Sequence, residues 1–229
     1  MKEFKITVDN YVFHGYEFGK NSLPSLVCLH GMTGDLKSFS GLIEYLINDF
    51  HLILLDNLGH GETGPLELED DYRFSSLVNR IYRVIQKITN KPFYILGHSW
   101  GADLALNFAK IHPNKIIGLI LIDGGYVFPE HVDGMTKDKA LLGWKEYIKA
   151  FYKEPCSTTY DNILCPVLLL HATIPIIDSS RDRGLQQIKK NINKIKVKGI
   201  ENTKHNVHWD IPNSVANEIL LWKQENYKV

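Results

Sequence analysis

Phe93-Tyr94-Ile95-Leu96-Gly97-His98-Ser99-Trp100-Gly101-Ala102 is the stretch on which the fold turns. Phe93 to Leu96 form a short apolar run of strand type, and the stretch from Ala102 to Ile111 predicts a helix. Between them a serine is centred between two glycines, the pattern G-x-S-x-G in a strand-turn-helix setting. A serine on so sharp a turn is pushed clear of the sheet. Gly97 and Gly101 let strand and helix approach closely, and the helix N-terminus adds a field favourable to negative charge. Ser99 is therefore the candidate nucleophile.

Outward from this turn, apolar runs alternate with amphipathic stretches. Phe4, Ile6 and Val8 alternate with polar residues, Asp9-Asn10 signals a turn, and Tyr11 to Phe18 predicts the returning strand of a hairpin. Continuous apolar runs, expected of strands covered on both faces, follow at Leu26–Leu29, Leu52–Leu55, Ile116–Ile122 and Val167–Leu170, with a weaker one at Ile195–Val197. Helical patterns lie between them at Phe39–Ile47, Phe74–Ile88, Arg181–Ile192 and Val215–Trp222. The alternation predicts an α/β protein, a mostly parallel sheet with helices on both faces and an antiparallel N-terminal hairpin. Residues 124–165 break it. They carry Tyr126, Phe128, Trp144, Tyr147, Phe151 and Tyr152, and Lys139–Tyr152 has a helical pattern. So long a connection is usually functional. It is expected to be a small helical cap on a core formed by residues 1–123 and 166–229.

Two loops complement the serine. His30-Gly31-Met32-Thr33-Gly34 follows the Leu26 strand. Acyl transfer needs two N–H donors aimed at a developing oxyanion. Trp100, after the nucleophile, and Met32, in this early loop, are the expected donors. Serine also needs a base. His205, between the last strand and the last helix, can reach the serine's edge of the sheet. His208 is its competitor, but it leads into the helix opened by Pro212. The other histidines show no metal-ligand spacing, and His205 and His208 lack a third ligand. Gly59-His60-Gly61-Glu62-Thr63-Gly64 lacks a P-loop's lysine and spacing. No metal and no cofactor are expected.

The hairpin, His30-Gly31, Asp56-x-x-Gly59-His60-Gly61, the serine turn, Leu121-Ile122-Asp123-Gly124-Gly125 and His205 stand in an order that resembles the α/β-hydrolase superfamily over nearly the whole chain. The resemblance implies an eight-stranded sheet, a Ser-acid-His triad and hydrolysis without a cofactor. Dehalogenating members have aspartate where this chain has Ser99, and asparagine near Met32, so that chemistry is disfavoured; perhydrolase and C–C hydrolase members share the serine triad. The acid has two candidates. In most members it follows the penultimate strand in a Gly-x-x-Asp-Pro form, whereas this chain reads Ala172-Thr173-Ile174-Pro175 and reaches a carboxylate only at Asp178. In a minority it ends the preceding strand, as Asp123 does; an aspartate there also serves loop bonding alone. Asp123 is preferred and Asp178 is the alternative. Asp56 is expected to brace the Gly59–Gly61 loop.

Composition bounds the function. The chain has 229 residues, 44 % hydrophobic and 23 % charged, enough for one core without staples. Twenty-six basic residues balance 26 acidic ones, which argues against broad binding to nucleic acid or anionic membrane. The basic stretch Lys189–Lys198 is expected to be a solvated surface. The charged Met-Lys-Glu-Phe-Lys start does not suit a signal peptide, and no apolar run is long enough for a bilayer. Three cysteines (Cys28, Cys156, Cys165) fit a reducing compartment. The expectation is a cytoplasmic serine hydrolase, monomeric or a small homo-oligomer, acting on a small ester, thioester or lactone. The rival is a ligand-binding protein on the same scaffold.

Overall fold

The structure, a computed structural model, describes residues 1–64, 73–126, 160, 162–174 and 179–227. Its strands are β1 (Lys2–Val8), β2 (Tyr11–Phe18), β3 (Ser25–Leu29), β4 (His51–Leu55), β5 (Phe93–His98), β6 (Ile116–Ile122), β7 (Val167–Ala172) and β8 (Ile195–Ile200). They form one sheet in the order β1-β2-β4-β3-β5-β6-β7-β8. The pairs β1–β2 and β2–β4 are antiparallel and all others parallel. The described helices are α1 (Ser40–Leu46), α2 (Phe74–Gln86), α3 (Trp100–Ile111), α4 (Ser179–Asn191), α5 (Val207–Asp210) and α6 (Pro212–Asn226).

The continuous apolar runs are divided between two layers, because successive side chains of a strand point to opposite faces. Leu26, Cys28, Leu52, Leu54, Ile120 and Leu168 pack with Leu42, Ile219 and Trp222 of α1 and α6. Their neighbours Val27, Leu29, Ile53, Leu119 and Leu169 pack with Val78, Ile81, Leu104 and Phe108 of α2 and α3. A strand with a helical layer on each side has no polar face, hence the unbroken apolar sequence. β8 is the exception. It lies at the sheet edge, and Lys196 and Lys198 alternate along it, with Lys196 Nζ bonded to Glu225 at 2.9 Å. Lysines on an edge strand discourage pairing with another chain.

Element ends differ from the sequence reading where caps intervene. Asp35 caps a 3₁₀ turn, Leu36–Phe39, and the α-helix begins only at Ser40. Pro212 at the first helical position starts α6 before Val215. Residues 127–159, with the predicted helix Lys139–Tyr152 and most of the expected cap, lie outside the described residues, as do Cys156 and Asp178. Cys28 and Cys165 are buried free thiols. Among the described residues no helix is long and apolar enough to cross a membrane.

The chain runs from β3 outward to β4 and then returns to place β5 on the other side of β3. Such a reversal opens a crevice beyond the carboxyl ends of the two strands, the usual ligand position in sheets of this kind. The loop carrying Met32 leaves β3 there, and Ser99 follows β5.

Candidate active site

Ser99 sits at the top of β5 with φ 53° and ψ −124°, a left-handed conformation that costs a non-glycine residue about 1–3 kcal/mol. The surroundings enforce it. A side chain at Gly97 would collide with the Gly101 carbonyl, and one at Gly101 with the Leu29 carbonyl. β5, α3 and the end of β3 are therefore locked together, and Ser99 is pushed outward. Its N–H donates to the Ile122 carbonyl at 2.9 Å, so the end of β6 lies alongside.

Asp123 is the residue after β6, and its N–H in turn donates to the Leu170 carbonyl of β7 at 2.8 Å. His205 arrives from the loop between β8 and α5. Its Nε2 lies 2.8 Å from Ser99 Oγ, and its Nδ1 lies 2.8 Å from Asp123 Oδ2. The structure thus brings Ser99, His205 and Asp123 into one hydrogen-bonded line. Asp178, the alternative acid, lies outside the described residues.

The other carboxylate oxygen of Asp123 is also fully engaged. Oδ1 accepts from Tyr126 Oη at 2.8 Å, from the Ala172 N–H at 2.9 Å and from Arg181 Nη2 at 2.5 Å. Burial alone would raise the carboxyl's pKa. The hydrogen bond to His205, the Arg181 charge and the Ala172 N–H outweigh it and hold the pKa below the usual carboxylate value. Burial, and next the Asp123 charge, keeps the Tyr126 phenol protonated to well above its ordinary range, so it serves as a donor.

His205 is held from behind by other histidines. His98 Nε2 donates to the His205 carbonyl at 3.0 Å. The His98 ring lies 4.9 Å from that of His205 and 4.4 Å from that of His208. Burial, and then the neighbouring imidazoles, pushes the pKa of His98 well down and that of His208 down to about 3. His208 is thus a buried neutral ring, and no bond joins it to Ser99 among the described residues.

The Met32 loop is braced against the serine. A methyl group at Gly31 would sit 3.3 Å from Ser99 Cβ. His30 Nδ1 donates to the Gly31 carbonyl at 2.8 Å, and His30 Nε2 accepts from the Asn57 N–H at 3.0 Å. Burial pushes the pKa of His30 down to about 4, which matches that neutral tautomer. His60 Nε2 lies 2.7 Å from the Met32 carbonyl, and its ring stacks on Trp100 at 5.9 Å. Trp100 follows Ser99 in the chain, and Met32 follows Gly31, the residue of this loop that packs on Ser99. Asp56 braces the neighbouring loop: Oδ1 accepts from the Leu36 N–H at 2.9 Å, and Oδ2 from His14 Nδ1 at 2.9 Å and the Glu62 N–H at 3.0 Å. Gly61 packs directly on the carboxylate, where any side chain would collide, so Asp56 holds the Gly59–Gly61 loop through Gly61 and the Glu62 N–H that follows it.

Among the described residues, Glu3, His14 and Glu62 form the group whose ligand atoms lie close enough to hold a metal ion, within 4.8 Å of one another. These atoms already bond protein groups: His14 Nε2 with Glu3 at 3.2 Å, and Glu62 with Lys5 at 3.2 Å.

Sequence reasoning missed Arg181, Tyr126 and the role of His98. One signal for Arg181 existed. Arg181, Gly184 and Ile188 fall at helical spacing on the buried stripe of α4, so a charge stands where an apolar residue is expected.

An eight-stranded sheet of this order with a strained serine between β5 and α3 decides the fold. The chain has the α/β-hydrolase fold. A family model for the alpha/beta hydrolase fold matches residues 24–135, just under half of the chain. A serine hydrolase-like protein of Danio rerio is 29 % identical over 133 residues, 58 % of this chain and 41 % of that protein. Monoacylglycerol lipase abhd6-B of Xenopus laevis is 33 % identical over 124 residues, 52 % of this chain and 36 % of that protein. The match therefore spans less than half the length of these curated relatives. A bacterial membrane phospholipase A, described as a virulence factor, shares the fold with a TM-score of 0.80 at 18 % identity, covering 100 % of this chain and 87 % of that one.

Proposed function

We propose that this α/β-hydrolase is a serine hydrolase that cleaves a small carboxylic ester, thioester or lactone through an acyl-enzyme. The observation that carries the reading is the unbroken line Ser99 Oγ–His205 Nε2, His205 Nδ1–Asp123 Oδ2, with 2.8 Å at each step. It supplies what a weak nucleophile needs: a base within bonding distance and a carboxylate that fixes the base's tautomer.

His205 Nε2 takes the Ser99 proton as Oγ attacks the carbonyl carbon. The carbonyl π electrons move to oxygen, and the oxyanion forms between the N–H groups of Met32 and Trp100. Asp123 stabilises the imidazolium without being protonated. On collapse, the C–O or C–S bond to the leaving group breaks, and the imidazolium protonates the departing atom. His205 then deprotonates a water that attacks the acyl carbon, and the acid leaves as Ser99 regains its proton. The nucleophile, base and donors all come from the chain.

The buried Trp100, Met32 and Tyr126 around the serine support a small, largely apolar acyl or alcohol group. The charge balance and the thiols fit a cytoplasmic enzyme, monomeric or a small homo-oligomer, with a small-molecule substrate. A panel of p-nitrophenyl acetate and butyrate, an aryl thioester and a γ-lactone tests the reading. Turnover of at least one class, lost in Ser99→Ala, is expected. A folded protein inert on all of them would support the ligand-binding alternative.

A further inference from the structure

The acid of this site carries a partner that orienting a histidine does not require. Asp123 Oδ2 is left to His205, while Oδ1 collects Tyr126 Oη, the Ala172 N–H and the guanidinium of Arg181. Two neutral donors already fix the carboxylate's rotation. Arg181 adds a full, permanent positive charge. It is nearly buried, and Nη2 also donates to the Ala172 carbonyl at 2.6 Å, so its head is tied to the end of β7 as well as to the acid.

The helix is shaped to deliver it. One turn beyond Arg181, Gly184 packs directly on Tyr126, where any side chain would collide with the Tyr126 carbonyl and Cβ. Glycine inside a helix costs about 1 kcal/mol relative to alanine. Its presence here lets α4 sit close enough for Arg181 to reach Asp123. Gly184, Tyr126 and Arg181 thus form one clamp on the acid.

We infer that Arg181 is a positioning residue that sets the proton affinity of His205 through Asp123, keeping the imidazole free to act as a base in more acidic solution than the Ser–His–Asp line alone would allow. The inference rests on the roles proposed above for Ser99, His205 and Asp123. A carboxylate that shares its charge with a guanidinium stabilises an imidazolium less, and the guanidinium itself repels the imidazolium. Among the described residues, the other groups facing this line are His98 from β5, Tyr126 after β6 and His208 from α5, while Lys204 and Asp210 stand exposed in the His205 loop and the helix after it. Burial keeps both of those histidines neutral, and the Tyr126 phenol is protonated, so among the described residues Asp123 and Arg181 supply the buried charges acting on His205; Lys204 and Asp210 are exposed and screened by solvent.

The test compares wild type with R181M, R181K and G184A. His205 is followed by NMR of ¹⁵N-histidine-labelled protein, its signals assigned by their loss in H205Q, and the pH dependence of ester kcat/KM is measured in parallel. In R181M the His205 titration midpoint and the acid limb of the rate profile move to higher pH by about one unit. R181K, which keeps the charge, returns both most of the way to wild type. G184A, which pushes α4 off Tyr126 while leaving the arginine in the chain, moves them in the same direction as R181M. A midpoint that stays put or falls in R181M overturns the inference, because a merely structural arginine would leave His205 unaffected or less well held. An R181K that behaves like R181M overturns it too. If R181M does not fold, R181K and G184A decide: the first must titrate like wild type and the second must move up. The NMR readout does not need turnover. A shift in a protein that cleaves no ester fails the proposed function alone, and turnover without a shift fails this inference alone.

Discussion

His205 Nδ1 lies 2.8 Å from Asp123 Oδ2, although the two residues are 82 positions apart and belong to different loops at the same sheet edge. Asp123 has a φ of 44°, so the chain turns sharply as soon as β6 ends, which leaves the carboxylate beside the strand end. Asparagine at 123 would keep the shape and offer His205 Nδ1 a neutral partner that also fits the wrong tautomer. Asp123→Asn is expected to lower kcat/KM on an activated ester by about a thousandfold or more. Asp178→Asn is expected to retain most of the activity. The reverse ranking would move the acid to the position after β7 and leave Asp123 a loop-bracing residue.

Ser99 holds its place against backbone strain, with φ 53°. Glycine would relax it. Ser99→Gly is expected to stabilise the protein to urea by about 1 kcal/mol while abolishing ester turnover, and Ser99→Ala to abolish turnover without that gain. Equal stability of all three proteins would remove strain from the account of this turn.

The glycines on either side act through space rather than flexibility. Gly97→Ala forces a methyl into the Gly101 carbonyl. The expected cost is about 3 kcal/mol of stability, read from urea unfolding, with loss of activity in whatever folds. A fully stable and active Gly97→Ala would show that β5 and α3 are not in contact as described.

Three buried histidines give the fold a pH dependence. His30 is pushed down to about 4, His208 to about 3, and His98 is well below its ordinary value. An unfolded imidazole takes up its proton near 6.5. Below about pH 6.5 the unfolded chain therefore binds more protons than the folded one, and stability falls as pH drops toward 4. Each such histidine contributes a slope of up to about 1.4 kcal/mol per pH unit in that window. The His208 ring lies 5.3 Å from that of Phe39, tilted against it, and has no hydrogen-bond partner among the described residues, so phenylalanine suits its place. His208→Phe is expected to flatten the fall in urea midpoint between pH 6.5 and 4.5. An unchanged slope would mean that the ring is hydrated or charged.

The fold was legible because its signals are local. Unbroken apolar runs such as Ile116–Ile122 name strands covered on both sides, and Asp9-Asn10 names the hairpin turn. Gly97, Ser99 and Gly101 are consecutive enough for their collision geometry to be read from the sequence alone. Asp123 and His205 could be singled out as candidates because each stands at the end of a strand or in the last loop, where the edge bearing Ser99 must be. Arg181, Tyr126 and His98 were not legible. Whether Arg181 faces the sheet depends on how α4 is rotated, and that rotation is fixed by the approach of Gly184 to Tyr126, a contact between residues 58 apart. His98 reads as the arbitrary residue of G-x-S-x-G until β5 and the His205 loop are brought together.

The central claim is that Ser99 is a nucleophile activated by His205. The most direct measurement is intact-protein and peptide mass spectrometry after treatment with a fluorophosphonate probe at neutral pH. One probe molecule per chain, bound to the peptide containing Ser99, is expected in wild type, with no labelling in Ser99→Ala and labelling slowed at least a hundredfold in His205→Gln. A folded wild-type protein that takes up no probe, or a Ser99→Ala protein that still does, would contradict the account.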